Sequence, residues 1–232
     1  MELLADPLRL SIIVPILNEA RHLDQILARL FASSWLDDRC EVLLCDGGSR
    51  DDSLRIAANY PCRTLQGEPG RATQMNFAAA SAKGRYLLFL HADSMLPSDF
   101  DPACLDDAHW GFFKLRLDHP ARCYRVIESM INWRTGWSSI GGGDQALFFE
   151  REFFNSLGAY PAIPLMEDIE ICRRARERAS PRILDGPLTS SSRRWQKNGV
   201  VRTVVMMWGL RLAYYWGVDP RRLHRIYYPG QG

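Results

Sequence analysis

Residues 84–93 read GRYLLFLHAD, and this stretch is the strongest indication of the fold. A turn residue is followed by five apolar or aromatic residues, and the run ends abruptly at His91, Ala92 and Asp93. A continuous apolar run of this length is typical of a central strand of a parallel sheet, buried on both faces. Such a strand delivers Asp93 to the carboxyl edge of the sheet, where open α/β folds bind ligands.

Strand and helix patterns alternate on the amino-terminal side of this stretch. The predicted strands are 10–16, 41–45 and 62–65, and the predicted helices follow Asn18-Glu19, Ser49 and Gly70. This alternation predicts an α/β fold with a mostly parallel, right-handed, doubly wound sheet flanked by helices. Asp46 directly follows the second strand, so we expect Asp46 and Asp93 to leave the sheet at the same edge.

The carboxy-terminal side of the chain has a more mixed pattern. The predicted strands are 110–117 and 145–149, the predicted helices are 121–134 and 200–216, and 181–188 is predicted as an edge strand. The second half should therefore add a less regular layer to the sheet and end in a helix.

The composition is that of a folded protein with a sizeable core. The chain has 232 residues, of which 47% are hydrophobic and 24% charged, and its net charge of +2 does not indicate a nucleic-acid partner. From Ser190 onward, however, eight lysines and arginines stand against a single aspartate. A basic tail on an acidic body favours an anionic partner such as a phosphate or a lipid surface, although a solvated basic helix has the same pattern.

Two candidate ligand motifs follow strands. Asp93 is a carboxylate that Mg²⁺ or Mn²⁺ could use, and His91 could add a nitrogen ligand, which suits manganese better. The turn Asp46-Gly47-Gly48-Ser49 could let a nucleotide approach the backbone at a helix N-terminus. Structural roles stay open for each: a cap for Asp93, a packed ring for His91, and an ordinary strand-to-helix connection for the turn.

Three further motifs lie elsewhere in the chain. Arg71 could clamp a phosphate with its planar guanidinium, or it could lie on the surface. Glu167-Asp168 could be a general base and its neighbour, or two acids favoured by the dipole of the helix that they open. Three glycines in a row at 141–143 cost backbone entropy, so something must approach this loop closely or the loop must move.

Taken together, these motifs resemble glycosyltransferase family 2 on the GT-A fold. The motifs that carry the likeness are 11–15 (SIIVP) with Asn18-Glu19, Asp46-Gly47-Gly48-Ser49 with Asp51, residues 84–93, and Glu167-Asp168. They match in order and spacing over roughly residues 10–180. The chain also resembles a bacterial subgroup of radical-SAM/selenodomain-associated transferases, through Gly70-Arg71-Ala72, His91-Ala92-Asp93, Gly142-Gly143-Asp144-Gln145 and Arg193-Arg194-Trp195.

The resemblance implies an inverting transferase that uses a nucleotide-diphosphate sugar, most commonly a UDP-sugar, and an unknown acceptor. The donor-binding residues that it implies are Pro15, Glu19, Asp46, Gly48, Arg71, Ala92 and Asp93. Asp93 would hold a divalent metal, Mn²⁺ or Mg²⁺, with His91 as an open second ligand. Asp168 would be the general base, with Glu167 beside it. The implied acceptor side comprises Trp137, Gly142, Gly143, Asp144, Gln145, Arg194 and Trp195.

The resemblance also implies the domain boundaries. We expect a catalytic domain over 1–189, with a nucleotide-binding half to about 95 and an acceptor half over about 96–189. Residues 190–232 would form a basic, apolar helical extension. Its helix at 200–216 is at the short limit for a membrane span and is interrupted by Arg202 and Arg211, so a span is not expected. A helix at a membrane surface and burial against the body or a second copy of the chain stay open.

Two departures from the family pattern keep other functions open. His91 stands where the family usually has an aspartate, so a catalytically silent protein that binds nucleotide sugars or a membrane surface is the main alternative. A nucleotidyltransferase is disfavoured because 15–21 lacks a glycine-rich, lysine-containing loop. Ser191 stands where processive members have glutamine before Arg194-Trp195, so polymer synthesis is not expected. The six cysteines lack zinc-like spacing and predict reduced thiols in a cytoplasmic protein, with peripheral contact at the inner membrane surface still open.

Overall fold

Tyr86–Phe89 forms the strand β4, which is fully buried in the middle of the sheet, as the apolar run predicted. The computed structural model describes residues 8–228, so the ends of the two predicted domains at 1–7 and 229–232 lie outside the described residues. The strands are β1 Leu10–Ile16, β2 Cys40–Asp46, β3 Arg63–Gln66, β4 Tyr86–Phe89, β5 Ser94–Met95, β6 Trp110–Leu117, β7 Phe148–Glu150 and β8 Arg182–Ser190. The helices are α1 Ala20–Phe31, α2 Ser53–Ala57, α3 Arg71–Ser81, α4 Arg122–Ser138, α5 Arg151–Ser156, α6 Glu167–Arg176, α7 Arg193–Asn198, α8 Val200–Tyr215 and α9 Pro220–Tyr227.

The strands of the described chain form one mixed sheet in the order β3-β2-β1-β4-β7-β6-β8-β5. Strands β3, β2, β1 and β4 run parallel and make the doubly wound unit that the first half of the sequence predicted. Strand β7 joins β4 antiparallel, β6 joins β7 antiparallel, and β8 runs parallel to β6. The prediction of an α/β fold with a mixed second half is therefore confirmed.

The sequence predicts an edge strand at 181–188, and this prediction is confirmed, because Arg182–Leu188 pairs with β6 on one side while β5 pairs only with Thr189 and Ser190 beyond it. The segment forms β8, which lies between β6 and the short strand β5. Strand β5 directly follows Asp93, and its residues Ser94 and Met95 pair with the last residues of β8. This pairing brings the end of β8 to the end of β4, where the Ser191 N–H donates a hydrogen bond to the Asp93 carbonyl at 3.1 Å.

The two faces of β4 contribute to separate cores because successive side chains of a strand point to opposite faces. Tyr86 and Leu88 pack in the core that contains α1, whereas Leu87 and Phe89 pack in the core that contains α3 and α6. Helix α3 presents mostly alanines to the sheet, so its backbone lies close to the strands. This close approach lets buried Gln74 donate hydrogen bonds to the carbonyls of Ile16 and Cys45, at 2.8 and 2.7 Å.

The carboxy-terminal helices pack on the second half of the sheet. Leu115 and Leu117 of β6 form a third core with α4, Trp195 and α8. Helix α8 confirms the helical pattern of 200–216, but only Thr203 and Leu210 are buried along it. No helix within residues 8–228 is long and apolar enough to cross a membrane.

Gly111 of β6 lies between β7 and β8, and these neighbouring strands leave no room for a side chain there. A Cβ atom there would overlap the Arg182 carbonyl oxygen and lie 2.6 Å from the Phe148 ring. We expect Gly111→Ala to lower the free energy of unfolding by about 1–3 kcal/mol, as overpacking does in other cores. The matched control is Gly136→Ala in α4, which meets nothing within 4 Å and should stabilise the protein by about 0.4–1 kcal/mol. Urea unfolding followed by circular dichroism measures both, and equal stabilities of the two variants would contradict the packing.

Candidate active site

A cavity of about 490 Å³, here called the central cavity, opens at the carboxyl ends of β1 and β4. One wall comes from the parallel half of the sheet, and the facing walls come from the residues after Gly143. The predicted site residues that line it are Pro15, Glu19, Arg71, His91, Ala92, Asp93, Gly143, Asp144, Glu167, Asp168, Arg194 and Trp195. The fold therefore collects residues that are distant in the sequence around one space.

Asp93 lies at the end of β4 with its side chain 38% exposed. Its backbone is held by Ser191, whereas its carboxylate accepts no hydrogen bond from the described residues. The Arg193 guanidinium approaches Asp93 Oδ2 to 3.9 Å. Burial, followed by the negative charge of Asp93, raises the pKa of the neighbouring Glu19. The backbone therefore positions Asp93, and its carboxylate, at ion-pair distance from Arg193, keeps its hydrogen-bond capacity for a ligand.

The ring of His91 packs against the backbone of Gly143. A Cβ atom on Gly143 would lie 2.7 Å from His91 Cε1 and 2.8 Å from Nε2, so only glycine fits between the ring and the loop. Burial, followed by the positive charges of Arg71 and Arg194, lowers the pKa of His91 well below its ordinary value. The imidazole is therefore neutral at physiological pH, and the edge that carries Nε2 faces the glycine loop.

Asp168 stands in the first turn of α6, across the central cavity from the end of β4. Its Oδ2 accepts a hydrogen bond from the Gly143 N–H, and its Oδ1 accepts one from the Ile169 N–H, both at 2.8 Å. Each oxygen of the carboxylate has two lone-pair directions, so both keep capacity for a further hydrogen bond. Two backbone donors thus fix the rotamer of a carboxylate that still lines the cavity.

Glu167 is the buried neighbour of Asp168 and is only 3% exposed. Burial, followed by the negative charge of Asp168, raises the pKa of Glu167 to about 7, while Arg71 opposes this shift. The Arg71 guanidinium lies 3.7 Å from Glu167 Oε1 and is two-fifths exposed. The two adjacent carboxyls of this helix therefore have different environments, as is common where one must be a base.

Asp46 and Gly48 lie outside the wall of the central cavity. The Asp46 carboxylate is buried and accepts hydrogen bonds from the N–H groups of Gly48 and Ser49, at 3.0 and 3.0–3.1 Å. It closes the turn after β2, and the φ of +95° at Gly48 explains the glycine there. Contact between this turn and a nucleotide stays a prediction.

Three residues of the predicted acceptor side also lie outside the central cavity. Buried Gln145 accepts a hydrogen bond from the Gly142 N–H at 3.0 Å and donates one to the Phe113 carbonyl at 3.0 Å. This amide pins the glycine loop to β6, which is a structural task. Trp137 is 82% exposed and lines a neighbouring groove.

The structure adds cationic and aromatic residues that the motifs did not indicate. Arg193, Arg211, Tyr227 and Tyr228 line the central cavity with Arg194, whose guanidinium carbon lies 4.5 Å from the centre of the Tyr227 ring. The only sequence signals were the excess of arginine after Ser190 and an arginine inside the apolar run of α8. The basic tail therefore forms one side of the site.

The side chains of the central cavity suit a divalent cation that takes most of its ligands from a substrate. Within residues 8–228 no group of three or more histidine, cysteine or acidic side chains could hold a metal by itself. Mg²⁺ and Mn²⁺ sites often use one or two carboxylates together with phosphate oxygens and water. Asp93, with a free and partly exposed carboxylate, meets that requirement, and the arginines around it suit the phosphates.

Comparison with known proteins identifies the family and the fold of the chain. Residues 11–126, half of the chain, match the family described as Glycosyl transferase family 2. The chain belongs to glycosyl transferase family 2, and the predicted enzyme class, glycosyltransferase, is that of the family.

One curated relative and two solved structures illustrate the likeness. An undecaprenyl-phosphate 4-deoxy-4-formamido-L-arabinose transferase of Pseudomonas savastanoi pv. phaseolicola (strain 1448A / Race 6) is 30% identical over 111 residues, which cover 44% of this chain and 33% of that protein. S. aureus TarS in complex with UDP aligns with a TM-score of 0.63 and 17% identity, over 79% of this chain and 60% of that one. The mannosyltransferase PcManGT of Pyrobaculum calidifontis, in complex with GDP-Man and Mn²⁺, aligns with a TM-score of 0.61 and 21% identity. This alignment covers 88% of this chain and 61% of that one.

These likenesses differ in what they show. At such low identity the two solved structures show the fold alone, and they confirm the GT-A-like architecture. The chain spans about a third of the length of the curated relative and about three fifths of each of these structures.

The raised pKa of Glu167 predicts how stability depends on pH. The ordinary pKa is 4.5 and the folded value is about 7, so the folded protein binds this proton more tightly than the unfolded chain does. The contribution of Glu167 to stability is therefore full below about pH 4.5 and is lost as the pH rises through about 7. We expect the stability of Glu167→Gln relative to wild type to rise by on the order of 2 kcal/mol between about pH 5 and pH 8.

The matched control for this titration is Glu170→Gln on the same helix. Hydrogen bonds from Arg173, with further donors from Arg174 and Tyr214, lower the pKa of Glu170 to about 2. Its effect on the free energy of unfolding should therefore be constant over the same pH range. Denaturant unfolding at several pH values measures both variants. A pH-independent difference between Glu167→Gln and wild type would contradict the burial of the Glu167 proton.

Proposed function

We propose that the protein transfers a sugar from a nucleotide-diphosphate sugar to an acceptor hydroxyl, with inversion at the anomeric carbon. The observation that carries this proposal is that Asp93 and Asp168 line the same cavity from different halves of the chain, together with four arginines. The ligands of the structural neighbours, UDP, UDP-GlcNAc and GDP-Man with Mn²⁺, support a donor of this class. The likeness to the radical-SAM/selenodomain-associated subgroup remains a prediction.

The donor would lie against the end of the parallel sheet. In this proposal Pro15, Glu19 and Ala92 contact the nucleotide, and the turn at Asp46 and Gly48 also helps to bind it. UDP is the nucleotide that we favour.

The diphosphate would lie between Asp93 and the cluster Arg71, Arg193 and Arg194. A divalent ion bound at Asp93, Mn²⁺ or Mg²⁺, would act as a Lewis acid for the departing diphosphate. The three guanidinium groups would stabilise the same negative charge on the diphosphate. At about 4 Å and an effective dielectric near 20, one such charge pair contributes about 4 kcal/mol before the cost of desolvation. His91, neutral and packed on Gly143, supports the loop beside this position.

Asp168 is the proposed general base. It would accept the proton of the acceptor hydroxyl while the acceptor oxygen bonds to the anomeric carbon and the diphosphate leaves from the opposite side. The two backbone hydrogen bonds hold the carboxylate in place for this transfer. Glu167 is buried and has a pKa of about 7, so we assign it a positioning role with Arg71.

The extension from residue 190 would complete the enzyme rather than act as a separate module. Arg193, Arg211 and Tyr227 of this extension line the central cavity, which supports this division of labour. The exposed apolar residues of α8, including Val201, Val205 and Trp208, support peripheral contact with a membrane surface. This location is part of the proposal.

Asp168→Asn tests the base. We expect turnover to fall about 100- to 10,000-fold while nucleotide affinity stays unchanged, because the amide cannot accept the proton. The release of UDP or GDP from UDP-GlcNAc and GDP-mannose with water as acceptor measures turnover without knowledge of the acceptor. Asp99→Asn, an exposed aspartate outside the cavity, is the matched control. Unchanged release by Asp168→Asn would overturn the assignment.

Asp93→Ala tests the donor site. We expect Mn²⁺ to strengthen the binding of UDP or GDP to wild type, and this effect of the metal to disappear in the variant, because the carboxylate is the ligand that the protein supplies. Calorimetric titration with and without Mn²⁺ measures it, with Asp99→Ala as control. Absence of nucleotide binding in wild type under every metal condition would instead favour a catalytically silent protein that binds a membrane surface.

A further inference from the structure

A groove of about 550 Å³, here called the α4–α8 groove, runs between α4 and α8 beside the central cavity. Large apolar and aromatic side chains form its walls: Met130, Trp137, Trp208, Leu212 and Tyr215. These side chains are between 47% and 82% exposed. Large apolar side chains grouped in this way on a protein surface mark a binding site, whereas isolated ones do not.

The groove and the central cavity meet at one end. Asp144, Trp195, Met207 and Arg211 line both spaces. The charge of Asp168 also acts on Arg134, which lines the groove. A molecule that lies along the groove therefore has one end at the central cavity, which Asp168 also lines.

Two cations stand at this junction, Arg134 and Arg211. Within residues 8–228, neither guanidinium donates a hydrogen bond or forms an ion pair. Burial, followed by the positive charge of Arg211, lowers the pKa of Arg134 to about 10. Burial raises the pKa of the adjacent Asp144 carboxyl, while Arg211 opposes this shift. Two half-buried guanidinium groups in contact with one cavity are a ready site for an anion, which each can bind through two parallel hydrogen bonds.

We propose that the α4–α8 groove binds the acceptor, an amphiphile whose head carries an anionic phosphate and a hydroxyl and whose apolar chain lies between the two helices. The proposal rests on the proposed transferase function and names its acceptor class. Arg134 and Arg211 bind the phosphate, and the aromatic walls bind the chain. The head hydroxyl then lies at the entrance to the central cavity, facing Asp168.

The transfer from this position is balanced without a further reactant. The hydroxyl oxygen forms a bond to the anomeric carbon of the donor, and its proton passes to Asp168. The bond between the anomeric carbon and the diphosphate oxygen breaks, and its electron pair leaves with the nucleoside diphosphate. The phosphate of the acceptor stays on the arginines and does not react.

The test is a calorimetric titration of the full chain with three probes. Dihexanoyl-phosphatidylglycerol has the anion, the hydroxyls and apolar chains. Octyl glucoside has hydroxyls and a chain without the anion, and glycerol 3-phosphate has the head without the chain. We expect the first probe to bind with a one-to-one stoichiometry, and each of the other two to bind at least about tenfold more weakly.

Two pairs of variants, at three residues on α8 and at Trp216 directly after it, separate the parts of the site. Arg211→Gln should weaken the binding of dihexanoyl-phosphatidylglycerol at least about tenfold, while exposed Arg202→Gln should leave it within about twofold. Trp208→Ala should weaken it, while Trp216→Ala, 78% exposed and outside the groove, should not. Circular dichroism of each variant establishes that it is folded.

Several outcomes overturn the proposal. Equal affinities of Arg211→Gln and Arg202→Gln, or equal losses in the two tryptophan variants, would indicate general contact with a lipid surface. Glycerol 3-phosphate that binds as tightly as the lipid would indicate a site for free phosphate. If wild type binds nucleotide but not lipid, the acceptor site is contradicted and the proposed transferase function is not. If wild type binds lipid but not nucleotide, the transferase function is contradicted.

Discussion

The backbone of Gly143 is the contact that joins the two sides of the site. Its N–H donates to Asp168 at 2.8 Å, and its missing side chain is the space that the His91 ring occupies. The loop therefore touches the end of β4 on one side and the start of α6 on the other. A larger residue at position 143 would push His91 away from the Asp168 carboxylate, and His91 lies only two residues before Asp93. The separation of the two carboxylates is set by this contact, because Gln145 and its hydrogen bonds hold the loop on β6.

The basic tail and the acidic body of the sequence meet in the central cavity. Arg193 and Arg194 extend from α7, and Arg211 extends from α8, toward a wall that carries Glu19, Asp93, Asp144 and Asp168. Burial, followed by the positive charges of Arg71 and Arg194, lowers the pKa of His91 and keeps its imidazole neutral. Within residues 8–228, the guanidinium groups that line the cavity donate no hydrogen bond to a carboxylate. Four arginines, Arg71, Arg193, Arg194 and Arg211, line this cavity together with five carboxyl groups. Guanidinium groups that no carboxylate holds by a hydrogen bond are suited to a diphosphate and a phosphate head group.

Local patterns predicted the parts of the structure that local physics controls. The apolar run before Asp93, the alanine-rich helix after Gly70 and the Glu167-Asp168 helix start are each visible in a short window, and the structure has a strand or helix at each. The pairing of the last two residues of β8 with Ser94 and Met95 was not visible, because it joins segments that are distant in the sequence. The sequence patterns also did not predict the roles of Gln145 and of the Gly143 backbone, because both depend on contacts between distant segments. Arg211 stood out only as a charge in an apolar helix, and nothing local indicates that it reaches the cavity.

In the proposed complex, the sugar donor is bound by a metal that Asp93 holds, across the cavity from Asp168. A crystal structure with UDP or GDP and Mn²⁺, with data collected at the manganese absorption edge, tests it most directly. We expect an anomalous peak at about 2.0–2.2 Å from the Asp93 carboxylate, with the diphosphate between that peak and Arg71, Arg193 and Arg194. A bound nucleotide whose diphosphate lies away from Asp93, or a manganese ion bound elsewhere while Asp93 still faces Arg193, would contradict it.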